Sequence, residues 1–373
     1  MAGFLQNAVP MFNNIDLREL AGVSGPERAF VSVYLTTPDS FQQLKPRIDK
    51  IRALLSDEAV EIEHFEENLK LIETWLAEHK WETEGVCVFV CWALDFVRAF
   101  PLTVKGPEFI WVDSSPYIRP LAELQDEYEN FVVVAADNNA SRVFFVTSAR
   151  ADEDAKVKGD VKNNVKKGGW SQKRYERRRS NELMHYAKEI VDILTEMDQK
   201  EKFERLFLVG SQETMVEIEN ALTAPLQAKL AGKRNVDFSV GDDPIHEAAF
   251  EMFSEAEREA EGKLWDRIKE EYCRGGLAAT GPDEVLKAAA VGRVEKMAVT
   301  RNAKLAGTRC RECENLLPGE LSSCKICGSG DVFKVDLVNE LVELLALSSA
   351  EADFVDPIPA LSEAGEVAAL LRY

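Results

Sequence analysis

The chain has 373 residues, a length that favours roughly two or three domains. It is 46% hydrophobic and 29% charged, which excludes global disorder. Its 65 acidic residues outnumber 45 basic ones and give a formal net charge of −20, so nonspecific nucleic-acid binding over the whole surface is excluded and any contact with RNA needs a local basic patch.

The first predicted domain, residues 1–128, mixes strands and helices. Arg28–Leu35 is alternating and β-branched, which predicts a strand, and apolar residues at helical spacing predict two helices between residues 45 and 79. The other expected elements are strands at 86–92, 97–102 and 109–112 and a short helix at 121–127. This composition is typical of an α/β or α+β fold.

The second predicted domain, residues 129–272, opens with two strands at 131–137 and 142–150 that are joined by Asn138-Asn139, a turn signal. The polar segment 151–170 is expected to be a loop, and a long helix follows over 171–197. The remaining expected elements are a strand at 205–209, a helix at 212–222, a strand at 235–240 and a helix at 244–273. Alternating strands and helices imply a sheet covered by helices.

The third predicted domain, residues 273–373, carries a cysteine-rich insert at 308–330. Around the insert we expect helices at 282–290 and 335–347 and strands at 293–300 and 352–356. The seven cysteines of the chain are sparse and odd in number, which argues against a secreted disulfide framework. There is no signal-peptide pattern and no apolar stretch of roughly 18 residues, so we expect a cytoplasmic protein without a membrane segment.

The insert contains two Cys-x-x-Cys pairs separated by ten residues. Such pairs supply the tetrahedral sulfur set that Zn²⁺ prefers, and four protein ligands leave no open coordination position, so the sequence predicts a structural zinc site. Gly328 follows the second pair, where a knuckle turn commonly needs glycine. The alternative is a pair of reduced, metal-free loops. The candidate ligands are Cys310, Cys313, Cys324 and Cys327.

The sign of the charge reverses in one segment. Between Lys156 and Arg179 there are ten basic residues and two acidic ones, a local net charge of +8. A basic loop on an acidic protein favours selective contact with RNA phosphates, and the alternative is a solvated loop and helix face. The candidate RNA-binding residues are Lys158, Lys162, Lys166, Lys167, Lys173, Arg174, Arg177, Arg178 and Arg179.

Within this basic segment lies Gly168-Gly169-Trp170-Ser171-Gln172. Two glycines permit backbone conformations that are closed to other residues, and they let the main chain approach a substrate closely. The sequence has no Ser-His-Asp pattern, no Walker-type loop and no dinucleotide fingerprint.

The stretch KKGGWSQKRYERRRSNELMHYAKEIVDIL, from Lys166 to Leu194, resembles the signature of the middle domain of archaeal and eukaryotic class I release factors. There a Gly-Gly-Gln loop is followed by Ser and an arginine-rich helix. The paired strands upstream and the four cysteines also resemble parts of this superfamily, which includes Pelota and a Balon-like bacterial branch. The resemblance covers nearly the whole chain and implies a three-domain release-factor-like architecture, α/β and α+β, with a zinc-ribbon insert in the C-terminal domain.

The same resemblance implies a tRNA mimic that binds the ribosomal A site. Its implied partners are ribosomal RNA, the peptidyl-transferase centre and the P-site tRNA. A translational GTPase that contacts the third domain is implied as a delivering partner, and neither a membrane nor DNA is expected to bind.

Two departures from the family pattern bear on activity. Trp170 replaces the glutamine that, in the family, helps place water against the ester carbonyl of peptidyl-tRNA. Trp170 cannot reproduce the polar contacts of an amide, but its backbone N–H remains as a donor to an oxyanion. Gln172 gives a Gly-x-x-Gln spacing that resembles the loop of related peptidyl-tRNA hydrolases. The candidate catalytic residues are therefore Gly168, Gly169, Trp170 and Gln172.

The second departure is the loss of the Asn-Ile-Lys-Ser loop that reads stop codons in the family. The corresponding turn, near Ser56-Asp57-Glu58, is acidic and badly suited to mRNA. Two functions remain open. One is codon-independent peptidyl-tRNA hydrolysis in ribosome rescue or termination, and the other is a non-catalytic hibernation factor that occupies the A site of idle ribosomes.

Overall fold

The computed structural model describes residues 15–137, 140–147, 150–158, 170–200, 202–236 and 243–373. The chain divides into two compact units, one made of Met1–Glu127 together with Glu261–Tyr373 and the other of Tyr128–Ala260. The first and last segments of the sequence therefore fold with each other, and the division into three domains stays a prediction. No helix within the described ranges is both long and apolar enough to cross a lipid bilayer.

The N-terminal segment is a four-stranded antiparallel sheet with helices packed on one face. Its elements are α1 (Leu17–Ala21), β1 (Phe30–Leu35), α2 (Ser40–Gln43), α3 (Lys45–Leu55), α4 (Ala59–Glu78), β2 (Gly85–Cys91), β3 (Phe96–Leu102), β4 (Phe109–Asp113) and α5 (Arg119–Glu127). The strand order is β3-β2-β1-β4. Val31 and Val33 of β1 pack in one core with Phe65, Leu69 and Ile72 of α4, because apolar residues spaced three and four apart share one helix face.

The middle unit is a mixed five-stranded sheet with the order β7-β6-β5-β8-β9. Its elements are β5 (Phe131–Ala136), β6 (Ala140–Thr147), β7 (Arg150–Lys158), α6 (Trp170–Lys200), β8 (Arg205–Gly210), α7 (Gln212–Ala221), α8 (Ala224–Lys229), β9 (Leu230–Arg234) and the first part of α9 (Asp243–Cys273). β5, β6 and β7 pair antiparallel, whereas β8 is parallel to both β5 and β9. The predicted strand–helix alternation and the long helix after the basic segment are confirmed.

One prediction for this unit is wrong in position, and another lies mostly outside the described residues. The polar segment expected as a loop begins with β7, whose backbone pairs with β6 although its sequence is mostly charged. The strand expected at 235–240 is described only at Asn235 and Val236, which follow the end of β9, while residues 237–240 lie outside the described residues. The Asn138-Asn139 turn also lies outside them, and the flanking Ala140 N–H donates to Asp137 Oδ1 at 2.8 Å.

The C-terminal segment combines a four-stranded sheet with a small three-stranded sheet. Its elements are β10 (Ala278–Thr280), α10 (Gly281–Ala290), β11 (Val294–Thr300), β12 (Ala306–Cys310), β13 (Leu316–Pro318), β14 (Val332–Asp336), α11 (Leu337–Ser348), β15 (Glu351–Val355), α12 (Pro359–Glu363) and β16 (Val367–Leu371). The strand orders are β10-β16-β11-β15 and β13-β12-β14. The cysteine-rich insert belongs to the small sheet and its connecting loops. Because the segment combines helices with strands, the predicted mixed α/β character is confirmed.

Polar side chains of α11 and of the residue before it join the C-terminal segment to the N-terminal one. Asn339 Oδ1 accepts hydrogen bonds from the backbone N–H groups of Ile118, at 2.9 Å, and Arg119, at 3.0 Å. Glu343 Oε1 accepts from Ser115 Oγ at 2.7 Å. The Arg119 guanidinium pairs with Asp336 at 3.0 Å. We refer to Asp336, Asn339 and Glu343 with these partners as the α11 contact.

Candidate RNA-binding segment and metal centre

The basic segment connects β7 to α6 in the middle unit. Lys158 is the last residue of β7 and Trp170 is the first residue of α6, so the glycine pair directly precedes the helix. Gly168 and Gly169 lie outside the described residues, as do Lys162, Lys166 and Lys167.

The remaining candidate residues of this segment lie on the first turns of α6. Trp170 and Gln172 are the first and third helical residues, and their side chains lie outside the description. The first four N–H groups of a helix have no acceptor within it and form its positive end. The structure therefore places Trp170 and Gln172 on the first turn of this helix, at its positive end. The same helix carries Lys173, Arg174, Arg177, Arg178 and Arg179.

α6 is fixed on its unit by an apolar face. Among the side chains described for this helix, Leu183, Tyr186, Ala187, Ile190 and Leu194 are buried. Their spacing of three and four residues places them on one face of the helix. A helix of 31 residues is about 46 Å long, so its buried half can hold the N-terminal turns in a set direction.

The four cysteines of the insert converge on one point. All four Sγ atoms lie within 4.8 Å of one another. Cys310 Sγ and Cys327 Sγ are 3.5 Å apart, and Cys313 Sγ and Cys324 Sγ are 3.6 Å apart. Sulfurs bound at about 2.3 Å in a tetrahedron lie about 3.8 Å apart, so the residues fit a zinc ion. Within the described part of the chain, this is the one cluster of His, Cys, Asp or Glu that can hold a metal.

The two knuckles have the same backbone geometry. The Glu314 N–H donates to the Cys310 carbonyl, and the Gly328 N–H donates to the Cys324 carbonyl, both at 2.9 Å. Gly328 has a φ of +78° and Glu314 a φ of +57°, both in the left-handed region. The turn predicted at Gly328 is thus confirmed, and Glu314 adopts the same conformation despite its Cβ.

Asn315 supports the metal centre and was not predicted from the sequence. Its Nδ2 donates to Cys313 Sγ at 3.2 Å and to the Cys313 carbonyl at 3.2 Å. The hydrogen bonds that the side chain and the backbone of Asn315 make to the Cys313 thiol lower its pKa to about 6. Because the thiolate is the form that binds metal, Asn315 favours the ligating state. The sequence signal for this role is a polar residue two positions after the last cysteine of a Cys-x-x-Cys pair. Asn315 holds this position after Cys313, and Ser329 holds it after Cys327.

The other cysteines are separate from this cluster. Cys87 and Cys91 are buried in β2 and Cys273 is exposed. Burial raises the pKa of the Cys87 and Cys91 thiols, which disfavours the reactive thiolate. Cys87 and Cys91 therefore contribute to packing within the N-terminal sheet.

Comparison with known proteins relates the chain to translation factors. Residues 116–257 match the family model of the bacterial archaeo-eukaryotic release factor family 10. The peptide chain release factor subunit 1 of Methanococcoides burtonii is 24% identical over 290 residues, which are 70% of each chain. The corresponding protein of Archaeoglobus fulgidus is 25% identical over 286 residues, again 70% of each chain.

A crystal structure of an archaeal translation termination factor aligns over 96% of both chains, with 15% identity and a TM-score of 0.28. The family model and the two sequence relatives overlap the residues from Lys166 to Leu194 that resemble the middle domain of class I release factors. The chain is therefore similar in sequence to release factors of the archaeal and eukaryotic type, and its residues 116–257 match one family model of that group.

Proposed function

We propose that this protein is a translation factor that enters the ribosomal A site as a tRNA mimic and supports codon-independent hydrolysis of peptidyl-tRNA, in ribosome rescue or termination. The observation that carries the proposal is the glycine pair of the basic segment, directly before the first turn of α6. The related archaeal proteins are named peptide chain release factors, which supports a role in translation.

In this proposal each part of the segment has its own role. Gly168 and Gly169 shape the loop that approaches the ester, and Gln172 orients the attacking water. The free N–H groups at the start of α6 stabilise negative charge on the carbonyl oxygen. The lysines and arginines bind ribosomal RNA phosphates, while the acidic remainder of the chain limits binding elsewhere.

The turn between α3 and α4 supports independence from the codon. Ser56, Asp57 and Glu58 are exposed there, and two of the three are acidic. Acidic side chains repel the phosphates of mRNA, so this turn is unsuited to reading a codon.

The alternative function is occupation of the A site of idle ribosomes without catalysis. The observation that favours it is Trp170, which stands where the family has its catalytic glutamine. Stacking of an aromatic side chain on a base contributes about 1–3 kcal/mol, so Trp170 would serve binding instead of hydrolysis. In either case the proposed partners are ribosomal RNA at the peptidyl-transferase centre, the P-site tRNA and a translational GTPase.

We test the two functions by single-turnover release of a labelled peptide from ribosomes with P-site peptidyl-tRNA. Under the first function the protein releases peptide with any A-site codon, and Gln172→Ala loses ~10²-fold or more in rate, as for removal of one transition-state contact. Gln212→Ala, an exposed glutamine that begins α7, is the matched control and retains the rate. Tight binding without release above background for any codon supports the alternative.

Ribosome binding itself is tested separately from release. Alanine at Lys166, Lys167, Arg174 and Arg178 should weaken co-sedimentation and flatten its salt dependence, because fewer phosphate contacts are made. Unchanged co-sedimentation of this variant contradicts the role of the basic segment.

We further propose that Cys310, Cys313, Cys324 and Cys327 bind one structural zinc ion. The mutual distances of their Sγ atoms support this assignment. Metal-replete protein should contain about one zinc per chain, and Cys310→Ser should lose it, because three sulfurs no longer complete the tetrahedron. Cys273→Ser, an exposed cysteine outside the cluster, is the control that retains the metal. Far less than one zinc in the unsubstituted protein rejects the site.

A further inference from the structure

The turn between α3 and α4 exposes apolar side chains next to acidic ones. We call residues 53–60 the α3–α4 tip. Leu54 is 81% exposed, more than any other large apolar residue in the described part of the chain, and Val60 is 63% exposed. They lie at the last turn of α3 and the first turn of α4, so two apolar groups flank one short turn.

The fold does not use these two side chains. Ile48 and Leu55 of α3 and Phe65 and Leu69 of α4 form the core under the sheet. Leu54 directly precedes the buried Leu55 and lies on the outer side of the helix. Neither Leu54 nor Val60 belongs to this core, and burial against a partner would remove their apolar surface from water.

The charge around the tip has one sign. From Ala53 to Leu69 the sequence has six acidic residues and no lysine or arginine. Glu61 and Glu66 are paired with Arg28 and Arg52. Asp57, Glu58 and Glu63 form no recorded ion pair within the ranges that the structure describes. These three carboxylates repel nucleic-acid phosphates and attract cationic side chains.

We propose that the α3–α4 tip binds a basic protein surface with an apolar patch on the ribosome, and not RNA. The proposal rests on the proposed function, since it names the partner of this part of the molecule when the protein is bound. Leu54 and Val60 pack against the apolar patch of the partner. Asp57 and Glu58 of the tip, together with Glu63 one turn beyond Val60 on α4, pair with lysines or arginines of the partner. Such a centre of apolar side chains with a charged rim is the usual organisation of a protein–protein interface.

The partner class is tested with a photoreactive amino acid at position 54 of the full-length chain bound to purified ribosomes. We expect crosslinks to a basic ribosomal protein and none to RNA. The same group at Leu94, which is 45% exposed in the same unit, is the control and should not give that crosslink. Crosslinks at position 54 only to RNA, or none to any protein although the chain co-sediments, overturn the proposal.

The contribution of the surface to affinity is tested with the double variant Leu54→Ser/Val60→Ser. Both positions are exposed, so the variant should fold normally, and its ribosome affinity should fall about tenfold or more because buried apolar area is lost. Leu94→Ser is the matched control and should bind like the unsubstituted chain. Unchanged affinity of the double variant overturns the inference while ribosome binding stands, whereas failure of the unsubstituted chain to sediment with ribosomes overturns both proposals.

Discussion

At the scale of single residues, Asn339 connects two parts of the chain that are more than 200 positions apart. It is 3% exposed, and its Oδ1 accepts the backbone N–H groups of Ile118 and Arg119. These two groups lie at the N-terminus of α5, where a helix has no internal acceptors. Asn339 therefore does for α5 what an N-cap residue usually does from the adjacent position in sequence.

Replacement of Asn339 by Ala should lower the free energy of unfolding by about 2–4 kcal/mol, because two buried N–H groups lose their acceptor. Urea unfolding followed by tryptophan fluorescence measures the change. Gln42→Ala, at an exposed position of the same unit, is the control and should shift stability by no more than about 0.5 kcal/mol. A loss below ~1 kcal/mol for Asn339→Ala would show that water or a neighbour replaces the amide oxygen.

Glu343 makes the stability that the α11 contact contributes dependent on pH. Burial raises the pKa of its carboxyl well above the ordinary range, and the nearby charge of Glu340 raises it further. A raised pKa in the folded state means that folding favours the protonated acid. Its stabilising contribution is therefore complete below the ordinary glutamate pKa of about 4.3, and it is lost as the pH rises through the folded-state pKa.

Glu343→Gln should remove this part of the pH dependence. The amide resembles the protonated acid and still presents an oxygen to Ser115 Oγ and Asn339 Nδ2. We expect the free energy of unfolding of the variant to fall less than that of the unsubstituted chain between acidic and alkaline pH. The exposed Glu363→Gln controls for the loss of one negative charge. Parallel pH profiles for Glu343→Gln and the unsubstituted chain contradict the prediction.

At the scale of elements, the second knuckle depends on one backbone conformation. Gly328 has a φ of +78°, whereas Gly330, two residues on, has no left-handed φ, and neither would meet another atom within 4 Å if a Cβ were added. The two positions thus differ in backbone conformation and not in available space.

We expect Gly328→Ala to weaken the metal centre by about 1 kcal/mol, because an alanine resists the left-handed conformation, and Gly330→Ala to have no such effect. Competition with a chelator measures the affinity for zinc in both variants. Equal affinities for the two variants would mean that the knuckle adopts another turn when substituted.

Local patterns predicted some elements and not others. The cysteine pairs were predictable because ligand spacing and the turn at Gly328 are encoded within a few residues. β7 was not, because most of its residues are charged, only Ala151, Ala155 and Val157 are apolar, and its strand conformation depends on pairing with β6. β9 is likewise a short edge strand that pairs only with β8 among the described strands. The hydrogen bonds of Asn339 to Ile118 and Arg119 could not be predicted from local patterns either, because these partners are distant in sequence.

At the scale of the whole molecule, one unit is continuous in sequence and the other is not. Tyr128–Ala260 forms a unit by itself, with the β5 and β8 side chains Phe131, Val133 and Phe207 in its core. The other unit needs both outer segments, because the α11 contact supplies hydrogen-bond partners to Ser115, Ile118 and Arg119.

This difference predicts the behaviour of fragments. Residues 128–260 alone should show cooperative thermal unfolding, because their core is complete. Residues 15–127 alone should be markedly less stable and should gain stability when mixed with residues 261–373. Circular dichroism of each fragment and of the mixture measures this. A fragment 15–127 that is as stable alone as in the mixture would show that the α11 contact adds little.

The discontinuous unit also has a consequence for synthesis. The N–H of Ile118 and its acceptor Asn339 are 221 residues apart, so at roughly 5–20 residues per second the acceptor is made on the order of ten to forty seconds after the donor. During this interval the start of α5 must satisfy its N–H groups with water, and the buried face that later meets α11 is open to chaperones. Slow translation between these positions would lengthen the period in which the nascent N-terminal segment is exposed to misfolding and proteolysis.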